Sequence, residues 1–493
     1  MTDPAYLGLD LGTTGVKGLV VGADGKTLAR LERPLKLSTP KPAWAEQDPE
    51  QWWEAALGIL KSVPKKLKIA RIGLSGQMHT LVPLGGDLRP LRPAILWCDQ
   101  RSHAQCQKAT EILGGEGTVI ALTGNPLYPG FTLPKILWLR DSEPDVYKRL
   151  KTVLIAKDYL AMRLTGEIGS EPSDASGSSM LDAKTGEWCL ELMDKLGLPQ
   201  SILPALTKSE AARGRLTEDL AGQLGWDRIE VASGGADNAV SALGLGITGP
   251  GDCMVSIGTS GTVLGVAGSG ASPDPSGRLH FFRHAVGGSC YHMGVMLSAA
   301  AALNWAKDKL AKRASWPLLE SQMAGVPAGA DGLLFLPYLQ GERTPHRDPD
   351  ARGVLFGLSS LTDAPRILRA VIEGVTFGLR DSFELLKSLT EVKSVIVAGG
   401  GAKNQLWREI LAANLKTPVT APLVDEGGAY GAAMLAALGD GAPLSEIRAW
   451  AGRGGETPPN PELSGRYDAL YQEFKALYGD LAQRFKKVAA LQP

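Results

Sequence analysis

The sequence predicts an α/β protein made of two similar domains that face a shared cleft. Three observations support this prediction. At 493 residues the chain exceeds the size at which one hydrophobic core usually stops growing. Strand-like and helix-like segments alternate along it. A glycine–threonine turn at residues 12–15 returns as a glycine–threonine–serine turn at 258–261, about half a chain later. We expect the domains to span residues 1–247 and 248–493.

Composition and charge are those of an ordinary globular protein, with 44% hydrophobic and 21% charged residues. The 52 basic residues balance the 52 acidic ones, which argues against a nucleic-acid-binding surface. The five cysteines form no CxxC pair and are expected to be reduced thiols. No apolar run approaches the ~18 residues of a membrane span, and the N-terminus lacks a signal-peptide pattern. We therefore expect a soluble cytoplasmic protein with no nucleic-acid or membrane partner.

The first elements follow from local patterns. Residues 5–35 read as three strands, with turns at Gly12–Gly15 and at residues 23–25. A helix should begin after Asp48, an N-cap candidate that is followed by proline at the first helical position. Residues 69–79 are typical of a short apolar strand that runs into a glycine turn.

Later segments repeat the same mixture of elements. Residues 151–166 predict a strand segment followed by a helix, and residues 228–246 predict a strand, a turn and a helix. Residues 392–415 predict a strand, a glycine loop and a helix. Residues 268–277 are rich in turn formers and should be a loop between strands.

The repeated turn suggests phosphate binding. Small residues let backbone N–H groups approach an anion, and hydroxyl groups add donors without bulk. Two such hairpins could hold nucleotide phosphates between the domains, and Asp10, just before the first turn, could hold the Mg²⁺ that phosphates require. Ser256 takes the corresponding place in the second copy. The alternative is a pair of ordinary hairpins in which Asp10 caps a turn.

Several competing motifs are absent or misplaced. The chain has no GxxxxGK[ST] loop, no GxSxG elbow and no histidine spacing typical of zinc sites. A GxGxxG match at residues 244–249 follows a helical run, which is the wrong context for dinucleotide binding. Asp237 should lie at a helix N-terminus, where the helix dipole keeps a carboxylate ionised as a proton acceptor. A simple N-cap is the alternative.

Taken together, long stretches of the chain resemble the FGGY carbohydrate kinases, and among them most closely the xylulose kinases. The resemblance runs through nearly the whole sequence, and it includes GLDLGTTGVK, WAEQDPEQWW, SGQMH, ILWCDQR, GFTLPKILWL, AKDYLAMRLTGE, SDASG, GGADNA, SIGTSGT, LPYLQGERTPHRDPDARGVLFGL and VAGGGAKNQLWREILA. It implies a duplicated actin/hexokinase-like (ribonuclease H-like) fold with an interdomain cleft. It also implies that ATP, with Mg²⁺, phosphorylates D-xylulose to D-xylulose 5-phosphate.

The resemblance also implies roles for particular residues. Asp237 matches the catalytic base, and Asp10 would face the metal. The sugar would contact Met78, His79 and Asn238, with Asp99 and Arg101 shaping the same side. Nucleotide contacts would come from the first hairpin, the second hairpin and the adenosine pocket, namely Gly12, Thr13, Thr14, Lys17, Thr259, Ser260, Gly261, Thr262, Gly400, Gly401 and Asn404.

Two residues beside the expected sugar site depart from the family pattern. Thr80 stands where a glycine is usual, and Cys98 stands where an asparagine is usual. A kinase for another ketose or polyol is therefore an alternative function. A nucleotide-binding sugar sensor without catalysis is a further alternative, and so is a chaperone-like ATPase. Retention of both Asp10 and Asp237 argues against the sensor, while the sugar-side loops argue against the ATPase. We expect ATP and a small sugar as partners, with a homodimer as the candidate assembly.

Overall fold

The computed structural model of the protein describes residues 4–491, so the outermost residues of the two expected domains lie outside the described part. In the first half, strands and helices alternate as follows: β1 (Ala5–Leu11), β2 (Gly15–Gly22), β3 (Thr27–Pro34), β4 (Glu46–Gln47), α1 (Pro49–Ser62), β5 (Ile69–Gly76), β6 (Val82–Leu84), β7 (Ala94–Ile95), α2 (His103–Ile112), α3 (Glu116–Thr123), α4 (Thr132–Ser142), α5 (Pro144–Arg149), β8 (Thr152–Leu154), α6 (Ala156–Thr165), α7 (Pro172–Ser176), α8 (Leu190–Lys195), β9 (Ala212–Arg215), α9 (Glu218–Leu224), β10 (Glu230–Ala232), β11 (Gly235–Ala236) and α10 (Asp237–Gly244).

The second half continues in the same way: β12 (Asp252–Ile257), β13 (Gly261–Ala267), β14 (His280–Arg283), β15 (Cys290–Met296), α11 (Ala300–Leu310), α12 (Trp316–Ala324), β16 (Leu334–Leu336), β17 (Val354–Phe356), α13 (Ala364–Lys387), β18 (Ser394–Ala398), α14 (Gln405–Leu415), β19 (Val419–Pro422), α15 (Gly427–Gly439), α16 (Leu444–Trp450), β20 (Arg453–Thr457) and α17 (Pro461–Ala489). Short 3₁₀ helices lie at Gln200–Ile202, Ala330–Gly332 and Gly400–Lys403.

Each half contributes one large mixed sheet, and the two sheets share a topology. The first has the order β3-β2-β1-β5-β10-β9, with β11 beside β5, and the second has the order β14-β15-β13-β12-β18-β19-β20. In the first sheet, an antiparallel meander (β3, β2, β1) is followed by two parallel neighbours and an antiparallel edge strand. Strands β15, β13, β12, β18, β19 and β20 repeat that sequence of directions. The duplicated α/β fold is therefore confirmed.

The first three strands and the first helix lie where the sequence predicts them. The strands β1, β2 and β3 occupy the segment predicted for three strands. The helix α1 begins at Pro49, and the Asp48 side chain accepts a hydrogen bond from the Glu50 N–H, which satisfies one of the free donors at the helix start. Among residues 4–491, no helix combines the length and apolar character that crossing a bilayer requires.

The helices α10 and α15 pack against each other, with α15 lying on β1 and β5 of the first sheet. Their buried cluster also contains Met254, Leu264 and Ile396 from the second sheet. A Cβ added at Gly8 would lie 1.9 Å from the Ala429 carbonyl oxygen, so only glycine permits this approach of strand and helix. Since α15 comes from the second half and packs on the first sheet, the two halves share this buried cluster. The division of the chain at residue 247 remains a prediction.

Candidate active site

The two glycine hairpins occupy corresponding places in the two sheets. In the first hairpin Leu11 is opposite Val16, and in the second Ile257 is opposite Gly261, so the second loop is one residue shorter. Their tips are open to solvent at Thr14, Thr259 and Ser260, and Thr13 and Thr262 are partly exposed. Lys17 is opposite Asp10, and Thr262 is opposite Ser256 in the same way. The sequence correspondence between Asp10 and Ser256 is therefore also a structural one.

Asp10 lies near the end of β1, where its Oδ1 accepts a hydrogen bond of 2.8 Å from Ser75 Oγ. Burial raises the pKa of this carboxyl, and the Ser75 hydrogen bond and the charge of Lys17 oppose the rise. The start of α15 is directly against it, because a Cβ on Gly428 would be 2.7 Å from Asp10 Oδ1. No cluster of three or more metal-ligating side chains occurs within residues 4–491. A cation held here would need ligands from a bound nucleotide or water, which is usual for Mg²⁺.

Asp237 is the first residue of α10, and Ala236 is the N-cap. Asp237 Oδ1 accepts hydrogen bonds from the Asn238 backbone N (2.7 Å) and from Asn238 Nδ2 (3.1 Å). The alternative interpretation of Asp237 as an N-cap is therefore wrong. Burial, and after it the charge of Asp10, raises the pKa of Asp237 to about 7. The two aspartates thus lie within electrostatic reach of each other, and Asp237 can exchange a proton near neutral pH.

A buried polar network supports the start of α10 from behind. The Ala236 N–H donates to Ser173 Oγ (3.0 Å), and the Ser173 hydroxyl donates to Glu171 Oε1 (2.8 Å). Glu171 in turn lies 3.4 Å from Lys157 Nζ, and the side chains of Lys157 and Glu171 are fully buried. Because the side chains of this network are buried away from water, their hydrogen bonds fix the position of Ala236, the residue that precedes Asp237.

A cavity of about 280 Å³ lies beside Asp237, a size that suits one small ligand. Its wall comes from both halves of the chain: Met78, His79, Trp97, Gln100, Tyr128, Pro129, Gly130, Phe131, Asp237 and Asn238 from the first, and Ser260, Thr262, His280, Phe282, Met293, Val295 and Arg343 from the second. The tip of the second hairpin and Asp237 therefore face the same space.

All three predicted sugar contacts line this cavity. Met78 is buried, and its Sδ lies 3.6 Å from Asn238 Nδ2. His79 has a left-handed backbone (φ +68°), and its ring stacks on Phe131 with centroids 4.1 Å apart. Burial lowers the pKa of His79 to about 3. The neutral ring donates from Nδ1 to the Gly177 carbonyl oxygen (2.5 Å), which makes Nε2 an acceptor suited to a ligand hydroxyl.

Asp99 and Arg101 do not line the cavity. Their side chains are 0% and 1% exposed and form an ion pair with an Nη2–Oδ2 distance of 2.7 Å. Arg101 also contacts Glu46 at 2.7 Å. Neither charge therefore faces the cavity in this structure, because both are paired inside the protein. Gln100, which lies between them in the sequence, does line the wall.

Trp97 reaches the wall from the same turn, and its Nε1 donates to Thr13 Oγ1 of the first hairpin (2.9 Å). The two residues that depart from the family pattern do not belong to the wall. Thr80 is fully buried, and its hydroxyl donates to Gln77 Oε1 (3.3 Å). Cys98 is partly buried outside the cavity. Neither side chain narrows the space available to a ligand.

The predicted adenosine residues lie in the turn between β18 and α14. Gly400 is exposed, and a Cβ there would meet no atom within 4 Å. Gly401 instead packs on Ile257, at the end of β12. Asn404 is the N-cap of α14, since its side chain accepts from Trp407 N (3.0 Å) and donates to Glu320 (3.1 Å). Open space is thus available beside Gly400, whereas the Asn404 side chain already has protein partners.

Gly261 is a glycine for reasons of packing. A Cβ there would lie 2.9 Å from Leu379 Cδ2 and 3.2 Å from Ala299 Cβ, inside the core of the second half. Any side chain at this position would point into that core rather than toward a phosphate. Only the Gly261 backbone is available to a nucleotide.

Several wall residues were not singled out from the sequence, namely Gln100, Tyr128, Phe131, His280, Phe282 and Arg343. Phe131 and Arg343 lie within the segments that carry the family resemblance, GFTLPKILWL and GERTPH. Aromatic residues in loops carry no local signal of a ligand, because they fill cores more often than sites. Only the folded arrangement brings residues 128–131 against residues 280–282.

Comparison with known proteins gives two consecutive family matches. The N-terminal domain of the FGGY family of carbohydrate kinases matches residues 5–244, and the C-terminal domain of that family matches residues 253–439. The chain is 38% identical over 489 residues to the xylulose kinase of Lactococcus lactis, covering 97% of each protein.

Solved structures agree with this result. A xyloylose kinase from Brucella ovis is 38% identical with a TM-score of 0.91, covering 97% of this chain and 99% of that one. A gluconate kinase from Lactobacillus acidophilus is 29% identical with a TM-score of 0.93, covering 98% of this chain and 99% of that one. The backbone is therefore common to enzymes named for different sugars.

Proposed function

Because the chain belongs to the FGGY family of carbohydrate kinases, we propose that it transfers the γ-phosphoryl group of ATP to D-xylulose. The observation that carries this proposal is the cavity itself. It joins Asp237, Met78 and His79 to the tip of the second hairpin at Ser260. The high identity to xylulose kinases over nearly the full chain supports this sugar over others.

In the proposed reaction a sugar hydroxyl attacks the γ-phosphorus while Asp237 accepts its proton. The new O–P bond forms as the bond to ADP breaks, so the products are the sugar phosphate and ADP. Phosphoryl transfer depends mainly on positioning and on stabilisation of charge on the transferred group. The exposed hydroxyl groups of Thr14, Thr259 and Ser260 are suited to hold the phosphates, together with the backbone of the partly exposed Thr13. Closure of the cleft would exclude water as a competing acceptor.

Asp10 is the residue suited to hold Mg²⁺ on the nucleotide. It offers carboxylate oxygens as ligands. Burial raises the pKa of this carboxyl because the ionised form has lost its water, and a bound cation would stabilise that ionised form. When bound, Mg²⁺ neutralises charge on the phosphates. Asp10 also raises the pKa of Asp237. A cation beside Asp10 would therefore favour the ionised, proton-accepting form of Asp237.

A second candidate is phosphorylation of another sugar. The similarity to a gluconate kinase favours this candidate, because nearly the same backbone occurs in an enzyme named for a different sugar. A catalytically inactive sensor is less well supported, because a sensor needs no carboxylate with a pKa near neutrality beside the ligand cavity.

We also propose a cytoplasmic location, which the five free cysteines support. The homodimer remains a prediction.

The test is ADP release by the purified chain with Mg²⁺-ATP and a panel of ketoses, polyols and aldonates. We expect the highest kcat/KM with D-xylulose. A higher value with another sugar would replace D-xylulose as the substrate. Binding of sugar without ADP release would support the sensor.

A further inference from the structure

Arg343 places an uncompensated positive charge on the wall of the cavity. It follows β16 in the chain and is partly exposed to the cavity. Within the described wall it is the sole lysine or arginine, and Asp237 is the sole carboxylate. Across residues 4–491, no side chain forms an ion pair or accepts a hydrogen bond from its guanidinium, and its closest aromatic partner is the Tyr128 ring, with Cζ 5.8 Å from the centroid.

The adjacent carboxyl group is directed to backbone donors and forms no ion pair with the guanidinium. Glu342 is buried, and its Oε1 accepts hydrogen bonds from the backbone N–H groups of Leu297 (3.1 Å) and Arg343 (2.7 Å). Burial raises the pKa of Glu342 to about 8, and the two hydrogen bonds and the charge of Arg343 oppose the rise. Burial also lowers the pKa of Arg343, because the guanidinium has lost part of the water around it. A desolvated cation without a counter-charge favours a ligand oxygen as its partner.

Arg343 lies beside aromatic residues of the wall. Its Cζ is 5.8 Å from the centroid of the Tyr128 ring, and the Tyr128 and His280 ring centroids are 5.4 Å apart. Both of these residues line the cavity. The guanidinium therefore lies on the Tyr128–His280 side of the wall.

We propose that Arg343 is a sugar-binding residue that donates hydrogen bonds to oxygen atoms of the ligand held in the cavity. This assignment rests on the proposed function, because it takes the cavity to be the sugar site. Hydrogen bonds from a charged donor are stronger than neutral ones, so their loss should weaken binding about 10–100-fold. A free positive charge should also allow a sugar acid to bind in place of a neutral sugar.

The test is calorimetric titration of the full chain, without nucleotide, with D-xylulose and with D-xylonate, a five-carbon sugar acid. Wild type should bind both. The variant Arg343→Gln should bind D-xylulose about 10–100-fold more weakly and lose most affinity for D-xylonate, while Arg343→Lys keeps D-xylonate binding. A suitable control is Arg352→Gln. Arg352 is exposed and donates only to the carbonyls of Pro349 and Ala351 in its own loop, so its loss should change neither affinity.

Kinetics separate this role from a structural one. Arg343→Gln should raise KM for the sugar with little change in kcat and no change in KM for ATP. Equal affinity of wild type and folded Arg343→Gln for the sugar would overturn the assignment. If Arg343→Gln does not fold, failure of D-xylonate to compete with the sugar on wild type would overturn it. If the panel shows a sugar other than D-xylulose to be the substrate, the proposed function fails, and the same titrations with that sugar still decide the role of Arg343.

Discussion

Replacing Asp237 by asparagine should abolish most activity and yet stabilise the protein. The amide oxygen can still accept the hydrogen bond that Asn238 N donates to Asp237 Oδ1 at 2.7 Å, and Ala236 remains the N-cap. The shape of the helix start is therefore preserved. The side chain can no longer accept a proton, and general-base catalysis contributes about 10²–10⁴-fold. We expect kcat to fall by about that factor.

The stabilising effect follows from the pKa of Asp237. Folding raises this pKa from 3.8 to about 7, so the folded protein holds the proton more tightly than the unfolded chain does. Ionising Asp237 therefore lowers the stability of the wild type progressively as the pH rises from about 4 to about 7. At about 1.4 kcal/mol for each pH unit the upper limit is about 4 kcal/mol. Water that enters the cavity screens part of this energy, and we expect Asp237→Asn to raise the free energy of unfolding by about 1–3 kcal/mol.

The assay is steady-state kinetics together with thermal melts at pH 5 and pH 8. The Tm of Asp237→Asn should exceed that of wild type, by more at pH 8 than at pH 5. The contrasting variant is Asp99→Asn, which removes a charge that is bonded to Arg101 and should lower Tm. Near-wild-type turnover, or a lower Tm at pH 8 for Asp237→Asn, would refute the reasoning.

Three further predictions concern the surroundings of Asp237 and the second hairpin. The wild-type kcat/KM for the sugar should rise with pH because the base acts when ionised, and with Mg²⁺ beside Asp10 the midpoint should lie below the pKa of about 7 that Asp237 has without a cation; a flat profile from pH 4 to 9 would contradict this. Ser173→Ala removes the acceptor of the Ala236 N–H and should lower kcat more than KM, whereas Ser176→Ala, on the same helix, should leave their ratio unchanged; equal kinetic effects would contradict it. Gly261→Val should lower Tm through its clash with Leu379, so an unchanged melt would show that the core tolerates the side chain.

The duplicated fold could be predicted because its signals are local and repeated. The turn at residues 12–15 and its copy at 258–261 each join two apolar strands, and the structure places both at corresponding points of two sheets with the same topology. The one-residue difference between the two loops could not be predicted, because both contain the same glycine–hydroxyl pattern.

The site could be predicted only where a residue type is unusual for its position. Asp10 and Asp237 stand out as carboxylates at the ends of apolar segments, and His79 follows a buried strand. Asp99 and Arg101 look equally polar in the sequence, but their mutual attraction turns both charges into the protein. Arg343 could not be predicted, because what distinguishes it is that its guanidinium has no hydrogen-bond or ion-pair partner among residues 4–491, and the sequence does not show this.

In the proposed reaction, the cavity between the halves binds D-xylulose for phosphorylation by ATP. The most direct measurement incubates the protein with Mg²⁺, [γ-³²P]ATP and D-xylulose, separates the products and counts the label. We expect the label to move to D-xylulose 5-phosphate with one ADP formed for each sugar phosphate, and we expect Asp237→Asn to slow this transfer about 10²–10⁴-fold. Label that remained in ATP, or that appeared only as inorganic phosphate, would contradict it.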